Sequence, residues 1–367
     1  MKRNFFSLIV CFLLLGLLIL KKTLVSLNIW FYLFFISFLL SVFLIRPIIF
    51  LSKKFKILDY PAERKIHKEP IPILGGLVIY ISFAFAIIYN FHFSIELKGI
   101  AIASTLIFIV GLIDDIKELP ASLKLFIQVI ACLILIKYNV ILKIPYHYYP
   151  WGKILTSVLT ILWVIIVTNS INFIDGIDGL AAGLSAIASF FFLIIALQTK
   201  QIYFAYLNVI LLGAILGFLI YNFNPAKIFL GDNGSTFLGF CLASLAVMGE
   251  WAENNPTVAI GTPFLILSIP IFDLFYISGA RIVKKQVKNF KEWIEYVGKD
   301  HFHHRLMSLN FSQREVCYFL YSLAFTLSLS SLILREVRKE EVFLIILQVF
   351  FILCLISVLM LGARRKI

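Results

Sequence analysis

The chain has 367 residues, of which 61% are hydrophobic and 14% are charged, and its mean hydropathy is +0.98. A soluble globular protein cannot bury that much apolar surface, so the composition excludes the soluble classes and predicts an all-α, polytopic bundle of membrane helices. The net charge of +13 is also compatible with a nucleic-acid partner until the distribution of the basic residues is considered.

A bilayer core about 30 Å thick requires roughly 20 apolar residues per spanning helix. Runs of that kind predict twelve spans, at 5–20, 28–50, 73–90, 99–113, 124–137, 154–170, 180–198, 203–221, 236–251, 258–277, 316–334 and 342–361. The first run resembles a signal peptide, but Lys21 and Lys22 stand where a small-residue cleavage site is needed, so we expect it to be retained. The chain is thus expected to form one membrane domain, residues 1–367, with about 11–12 spans.

The basic residues are distributed unevenly between the two sides of this predicted bundle. With Met1 inside, the inner segments carry 23 of the 33 Lys and Arg residues, and the outer segments carry 10. This excess follows the positive-inside rule and places both termini and the longer loops in the cytoplasm. Topology therefore explains the charge without nucleic acid. The five cysteines are scattered through apolar runs and are interpreted as packing residues.

The first inner loop, residues 59–76, contains a basic cluster between extended, proline-containing segments. Arg64, Lys65, His67 and Lys68 suit an anionic head group, although such a cluster also serves as a simple topology signal.

Two adjacent carboxylates, Asp114 and Asp115, stand at the inner end of the fourth predicted span. Side by side they suit Mg²⁺ binding or chemistry at a phosphate, and their mutual repulsion calls for a compensating cation. A fully solvated helix end is the alternative interpretation.

The next inner segment repeats a polar residue every three positions: Asn169, Asn172, Asp175 and Asp178. A glycine follows each aspartate, which permits tight turns and close approach of a ligand to the backbone. No basic residue within the segment neutralises the carboxylates. This pattern predicts a cation, a sugar hydroxyl or a nucleobase as the partner.

A Gly-Asp-x-Gly-Ser turn at residues 231–235 opens the ninth predicted span. It presents free backbone N–H groups together with the carboxylate of Asp232, an arrangement that suits a phosphate bridged by Mg²⁺. Capping of the helix by Asp232 or Ser235 is the alternative and is compatible with such a function.

The last inner loop contains His-x-His-His-Arg-Leu at residues 301–306. A zinc site is conceivable, but no cysteine is nearby, so imidazole and guanidinium groups gripping phosphate oxygens are favoured. Earlier in this loop, apolar residues from Val283 to Val297 recur at helical spacing, which predicts an amphipathic helix on the membrane, with a solvated basic linker as the alternative. Asp273 is expected to face protein rather than lipid.

Taken in order, these motifs resemble those of the polyprenyl-phosphate N-acetylhexosamine-1-phosphate transferase family. The resemblance runs over residues 46–361 and leaves residues 1–27 as an extra N-terminal span. His-x-His-His is similar to the branch that uses UDP-GlcNAc, whereas the UDP-muramoyl-pentapeptide branch usually carries Pro-x-His-His-His-Phe-Glu. The resemblance implies that UDP-GlcNAc and undecaprenyl phosphate react to give undecaprenyl-diphosphate-GlcNAc and UMP, which initiates a cell-surface glycan.

The resemblance also implies roles for individual residues. Asp232 and Asn172 would hold Mg²⁺, with Mn²⁺ as an alternative ion. Asp114 and Asp115 would meet the lipid phosphate, with Asp114 as the proton acceptor, and Asp175 is a further catalytic candidate. The remaining substrate contacts fall on three groups of residues: Phe173, Asp178, Asn222 and Phe229 for uracil; His67 and Lys68 for an anionic group; and His301, His303, His304 and Arg305 for the diphosphate and sugar.

The expected partners are a UDP-N-acetylhexosamine, undecaprenyl phosphate and the lipid bilayer of a bacterial inner membrane, with no nucleic acid and with a homodimer left open. UDP-MurNAc-pentapeptide or another UDP-HexNAc is the alternative substrate. A transporter of anionic metabolites is the rival outside enzymology. It would place polar or glycine-broken segments near the bilayer midplane in matched halves, whereas here the acidic motifs fall at the span ends.

Overall fold

The computed structural model describes residues 2–61, 69–91, 94–143, 150–251, 256–289, 292–293, 296, 298, 300–336 and 339–364. The helices are α1 (Lys2–Ile19), α2 (Lys21–Lys54), α3 (Gly75–Asn90), α4 (Ile95–Ile116), α5 (Ala121–Lys137), α6 (Pro150–Ile174), α7 (Leu180–Gln198), α8 (Ile202–Asn222), α9 (Gly231–Met248), α10 (Pro256–Ile266), α11 (Ser268–Val283), α12 (Phe302–Ser308), α13 (Gln313–Glu336) and α14 (Lys339–Arg364). Two short strands, β1 (Leu58–Asp59) and β2 (Ile71–Pro72), pair antiparallel.

The all-α, multi-pass membrane architecture is confirmed, since each of the twelve predicted runs falls on helical chain. Within the described residues, seven helices are long and apolar enough to cross a bilayer, or up to eight if a bent pair counts as one span. The prediction of 11–12 spans is larger because it also counts shorter helices such as α3 and α5, with 16 and 17 residues.

The tenth predicted span is not one straight helix, which corrects the expectation for residues 258–277. It consists of α10 and α11, which meet at an angle of 83°. Pro270, in the first turn of α11, has no N–H to donate to Ile266, and Pro263 removes another donor within α10. The bend directs α11 toward the histidine segment that follows it.

Helix α9 forms the centre of the bundle and packs against α3, α4, α6 and α7. Its residues 233–247 are buried almost without interruption, as expected of a helix that is apolar on every side. Close contact with α4 depends on Gly111, where an added Cβ would lie 2.7 Å from the Asn233 Cα. The inner end of α4 therefore lies directly beside the start of α9.

The β1–β2 ribbon attaches the first inner loop to the start of α9. The residue pairs are Leu58 with Pro72 and Asp59 with Ile71, as the predicted extended approach requires. Backbone bonds from Phe229 N to Pro72 O, 2.7 Å, and from Gly75 N to Phe229 O, 3.0 Å, continue the attachment. Arg64, Lys65, His67 and Lys68 lie outside the described residues.

The predicted amphipathic surface helix does not continue from α11. Helix α11 ends at Val283, and Lys285 adopts a left-handed conformation with a φ of 55° that interrupts the helical path. The later part of the predicted helix, including Ile294 and Val297, lies outside the described residues.

Candidate active site

A cleft of about 520 Å³ opens at the end of the bundle where α4, α6 and α8 finish and α9 and α13 begin. Five aspartates line it, namely Asp59, Asp115, Asp175, Asp178 and Asp232. The motifs that contribute them are separated by as much as 173 positions, counted from Asp59 to Asp232. The structure therefore brings the acidic motifs of four different inner segments into one site.

Lys124, on the first turn of α5, joins two of these motifs. Its Nζ lies 2.6 Å from Asp114 Oδ2 and 3.2 Å from Asp232 Oδ2. Asp114 Oδ1 also accepts a hydrogen bond from the Leu119 N–H at 2.7 Å. The paired carboxylates predict a compensating cation, and Lys124 supplies a positive charge beside Asp114. Lys124 was not among the predicted site residues. Its signal was a single lysine inside the apolar start of α5.

Asp115 caps α9, so the alternative in which Asp232 or Ser235 caps this helix is not what the structure shows. Asp115 Oδ1 accepts from the Asp232 N–H at 2.8 Å, and Oδ2 accepts from the Asn233 N–H at 2.9 Å and from the Asn233 side-chain amide. The positive end of a helix stabilises a carboxylate placed there. Ser235 Oγ instead donates to Gly231 O at 3.0 Å. A cap from another helix is visible only once α4 and α9 are packed together.

Asn172 and Asp232, the predicted metal ligands, lie in direct contact. Asn172 Nδ2 donates to Asp232 Oδ1 at 3.0 Å and to Ser235 Oγ at 2.8 Å. The end of α6 is thereby fixed to the first turn of α9.

Asp175, in the turn after α6, has no hydrogen bond from its side chain to any of the described residues. Burial raises the pKa of Asp175 well above its ordinary range, and repulsion from Asp232, Asp115 and Asp178 adds to the shift. A carboxylate in this position favours either a proton or a cationic partner.

The part of the cleft around Asp178 combines this one carboxylate with neutral amide groups. Asp178 Oδ2 accepts from Asn224 Nδ2 at 2.8 Å and from the Ala226 N–H at 3.0 Å, while Asn222 Nδ2 donates to Ile228 O at 3.0 Å. Asp178, Asn222 and Phe229, three of the four residues predicted to hold uracil, therefore line one wall. Phe173 does not join them, since its ring packs edge-on against His301, 5.8 Å between centroids.

Asp273 organises the histidine segment, as the expectation that it faces protein requires. Asp273 Oδ2 lies 2.9 Å from His301 Nδ1, and Oδ1 accepts from the Phe302 N–H at 2.8 Å. Asp300 is held from the same helix by both Arg281 Nε and Nη2, at 2.8 and 2.7 Å. Burial opposes ionisation of Asp300, but the Arg281 guanidinium holds its pKa below the ordinary value. Helix α11 is thus the platform on which the histidines are placed.

The buried members of the histidine segment differ from the expectation. Arg305 is 4% exposed, and it donates to Asp300 O and Met360 O at 2.8 and 3.1 Å. Because the guanidinium is engaged by backbone, we assign Arg305 to holding the segment in place rather than to the substrate. His303 is 1% exposed and packs on Gly176, with neither ring nitrogen bonded to the described residues. His304 is half-buried beside it, 4.3 Å between ring centroids.

Known proteins align with most of the chain. The family model for Glycosyl transferase family 4 matches residues 97–250. A Probable undecaprenyl-phosphate N-acetylglucosaminyl 1-phosphate transferase of Bacillus subtilis is 34% identical over 313 residues, 82% of this chain and 84% of the relative. The chain belongs to glycosyl transferase family 4.

Two further relatives support this membership. A Decaprenyl-phosphate N-acetylglucosaminephosphotransferase of Mycobacterium tuberculosis is 30% identical over 77% of each chain. An Undecaprenyl-phosphate alpha-N-acetylglucosaminyl 1-phosphate transferase of Escherichia coli K12 is 28% identical over 81% of this chain and 83% of the relative. This family 4 protein is a multi-pass membrane transferase.

The cleft of this family 4 transferase presents oxygen donors of the kind that a hard divalent cation binds. Its ionisable ligands are carboxylates, joined by the side-chain amide of Asn172, and hard oxygen donors of this kind suit Mg²⁺ or Mn²⁺. Among the described residues, no three His, Cys, Asp or Glu side chains converge into a ready-made metal cage.

Proposed function

We propose that this chain transfers N-acetylglucosamine-1-phosphate from UDP-GlcNAc to a polyprenyl phosphate, most simply undecaprenyl phosphate, with release of UMP. An oxygen of the lipid phosphate attacks the β-phosphorus of the nucleotide sugar. The new P–O bond forms as the bond between the β-phosphorus and the bridging oxygen breaks, and UMP departs with that oxygen. The product carries the sugar on a lipid diphosphate and begins a cell-surface glycan.

The observation that carries the proposal is the position of the acidic cleft. Asp114, Asp115, Asp175 and Asp232 and the ammonium of Lys124 gather at one end of an apolar bundle. A reaction between a water-soluble nucleotide and a lipid head group requires a polar site at the membrane surface. The names of the aligned relatives give the two substrates for those proteins.

Both substrates are anions, so their approach requires positive charge in the site. Lys124 supplies one charge that is already held between Asp114 and Asp232. We infer that Mg²⁺, with Mn²⁺ as a substitute, binds Asp232 and Asn172 and supplies the charge that neutralises the diphosphate. Asp175 has no protein partner for its carboxylate among the described residues and faces the same space.

The carboxylate of Asp114 is already engaged by the protein, which disfavours a role as proton acceptor. Both of its carboxylate oxygens already accept hydrogen bonds, from Leu119 and Lys124. A lipid phosphate near neutral pH also needs little deprotonation. We therefore infer that Asp114 chiefly positions Lys124 for contact with the lipid phosphate, while Asp115 keeps the start of α9 in place.

We place the cleft on the cytoplasmic side of a bacterial inner membrane. The support is the excess of Lys and Arg in the inner segments, 23 of 33 residues, because these segments are the ones that carry the cleft residues. The cytoplasm is also the compartment in which nucleotide sugars are available.

Purified protein in detergent, supplied with UDP-[¹⁴C]GlcNAc, undecaprenyl phosphate and Mg²⁺, tests the reaction. We expect label to move into the organic phase only when the lipid acceptor is present, with UMP released in equal amount. Asp175→Asn is the matched negative control and should not transfer label. It removes the unpartnered carboxylate and nearly preserves the side-chain volume. A panel containing UDP-GalNAc and UDP-MurNAc-pentapeptide decides the sugar. No lipid-extractable label from any UDP-HexNAc would contradict the proposal.

A further inference from the structure

Three side-chain amides line the cleft near Asp178: those of Asn222, Asn224 and Gln313. Two of them bond to the protein through one N–H of the NH₂ group, since Asn222 Nδ2 donates to Ile228 O at 3.0 Å and Asn224 Nδ2 donates to Asp178 Oδ2 at 2.8 Å. These bonds shape the wall. Gln313 differs from both, because its NH₂ group makes no hydrogen bond to the described residues.

Gln313, at the start of α13, is bonded to the protein through its oxygen. Gln313 Oε1 accepts from the Asp178 N–H at 3.3 Å. A backbone N–H can be met only by an acceptor, so this bond fixes which end of the amide is oxygen and which is nitrogen. The Nε2 group has no hydrogen-bond partner among the residues that the structure describes. Because the side chain lines the cleft and is only half-buried, this donor is available to a bound molecule.

The position of Gln313 relative to the Asp178 turn is rigidly set. Two further side chains of α13 bond to the same turn: Cys317 Sγ donates to Asp178 O at 3.3 Å, and Tyr321 Oη donates to Gly179 O at 2.6 Å. Gln313, Cys317 and Tyr321 are spaced four residues apart and therefore share one face of the helix. A donor held by such a support is preorganised for a ligand.

The surroundings of Gln313 suit a flat heterocycle. Phe229, Pro225 and Ala226 provide apolar and aromatic surface, and the Ala226 N–H donates to Asp178 Oδ2, whereas Asp115 Oδ1 and the Asp232 N–H are bonded to each other at the start of α9. A diphosphate drawn toward Asp232 by a cation leaves the nucleobase beside Asp178 and the neighbouring amides. Resting on the proposed function, we propose that Gln313 determines recognition of uracil by donating from Nε2 to a carbonyl oxygen of the base.

Two substitutions separate this role from support of the turn. Gln313→Glu keeps an oxygen for the Asp178 N–H but removes the NH₂ donor, and Gln313→Met keeps the side-chain length but removes both. The measured quantity is the equilibrium Kd of purified, detergent-solubilised protein for UDP, 2-thio-UDP and 4-thio-UDP in the presence of Mg²⁺. No lipid acceptor and no turnover are required.

In the unmodified protein, replacing one of the two carbonyl oxygens by sulfur should weaken binding several-fold, because sulfur is a poorer acceptor. That penalty should disappear in Gln313→Met and in Gln313→Glu, and the Kd for UDP itself should rise roughly tenfold. Tyr321→Phe is the matched control, since it removes a bond to the turn and leaves the Gln313 amide intact, so it should retain the sulfur penalty.

The proposal is overturned if both sulfur penalties are the same in the Gln313 variants as in the unmodified protein. It is also overturned if Gln313→Glu binds UDP as the unmodified protein does, since Gln313 would then only support the turn. These outcomes are separate from the transfer assay. Gln313-dependent binding without transfer would remove the proposed function, whereas transfer with Gln313-independent binding would remove only this inference.

Discussion

Lys124 Nζ lies 2.6 Å from Asp114 Oδ2, and the two residues are ten positions apart in the chain. The same Nζ lies 3.2 Å from Asp232 Oδ2, a residue 108 positions further on. One ammonium therefore connects the carboxylate pair at the end of α4 with the turn that opens α9. Within the described part of the chain, Lys124 thus places a positive charge between two carboxylates of the cleft region.

Lys124→Met should lower kcat roughly 10²-fold, because the site loses a charge that stabilises the phosphoryl groups during transfer. It also leaves Asp114 and Asp232 facing each other without a cation. Lys117→Met is the matched control, since Lys117 is exposed in the segment that connects α4 to α5. Initial rates of lipid-linked label formation measure both variants. Equal losses in the two would show that only general surface charge matters.

Asp273→Asn should remove most of the activity while the protein remains folded. The carboxamide of this variant can still accept from the Phe302 N–H through its oxygen, but its NH₂ group then faces His301 Nδ1. The imidazole is forced into the other tautomer, and a wrong tautomer costs roughly 10²-fold or more where the ring contacts a reacting group. The thermal midpoint and kcat should be measured together. A lowered midpoint with normal kcat would assign Asp273 to stability alone.

Chelation by EDTA should abolish transfer, and added Mg²⁺ should restore it. Asp232→Asn should reduce kcat in a way that raised Mg²⁺ does not fully recover, because the amide is a weaker ligand than the carboxylate. Glu118→Gln, at an exposed position near the same end of α4, should behave like the unmodified protein. Normal activity of Asp232→Asn at low Mg²⁺ would remove Asp232 from the metal site.

His303 should make stability depend on pH. Burial lowers the pKa of His303 well below its ordinary value of 6.5, and His304 and His301 reinforce the shift. The unfolded chain therefore binds a proton below pH 6.5 that the folded protein does not, so stability is complete above that pH and falls below it, by up to about 1.4 kcal/mol per pH unit. Thermal midpoints between pH 5 and 8 should show a shallower acid decline in His303→Gln. Parallel profiles would contradict this origin.

Gly231→Ala should destabilise the protein and impair transfer. Gly231 has a φ of +74°, and an added Cβ would lie 2.3 Å from Ile73 O. The left-handed conformation alone costs roughly 1–2 kcal/mol for a residue with a Cβ, and the backbone contact adds to that. Gly279→Ala is the matched control because an added Cβ there meets nothing within 4 Å. Thermal midpoints compare the two variants, and equal midpoints would mean that the turn adapts without strain.

The sequence alone was sufficient for the fold class and for most of the acidic site. The length of the apolar runs predicts membrane helices because lipid provides no hydrogen bonds to an open backbone. The placement of Asp115, Asp175 and Asp232 at helix ends predicts that they share one side of the bundle, and the structure gathers them in one cleft. The order of these motifs also carried the resemblance, which the aligned relatives bear out at the level of the family.

Tertiary structure decided which side chains complete the site. Lys124, Asp273 and Gln313 stand singly in apolar or ordinary helical sequence, and although the sequence predicts that Asp273 faces protein, no local pattern gives the partner of any of the three. Each acquires its role only when another helix brings a partner within hydrogen-bond distance: Asp232 for Lys124, His301 for Asp273 and the Asp178 N–H for Gln313.

Packing between helices also explains why two residues differ from their expected roles. Arg305 and Phe173 lie beside site motifs in the chain, yet packing turns Arg305 toward Met360 O and Phe173 toward His301. The order of spans along the chain predicts the end of the bundle at which a residue lies, as it did for the carboxylates at the span ends. The partner that the residue meets there depends on the packing of distant helices, so the sequence determined the membrane fold and the acids, and tertiary contacts determined the position of Lys124, the histidine platform and the amides beside Asp178.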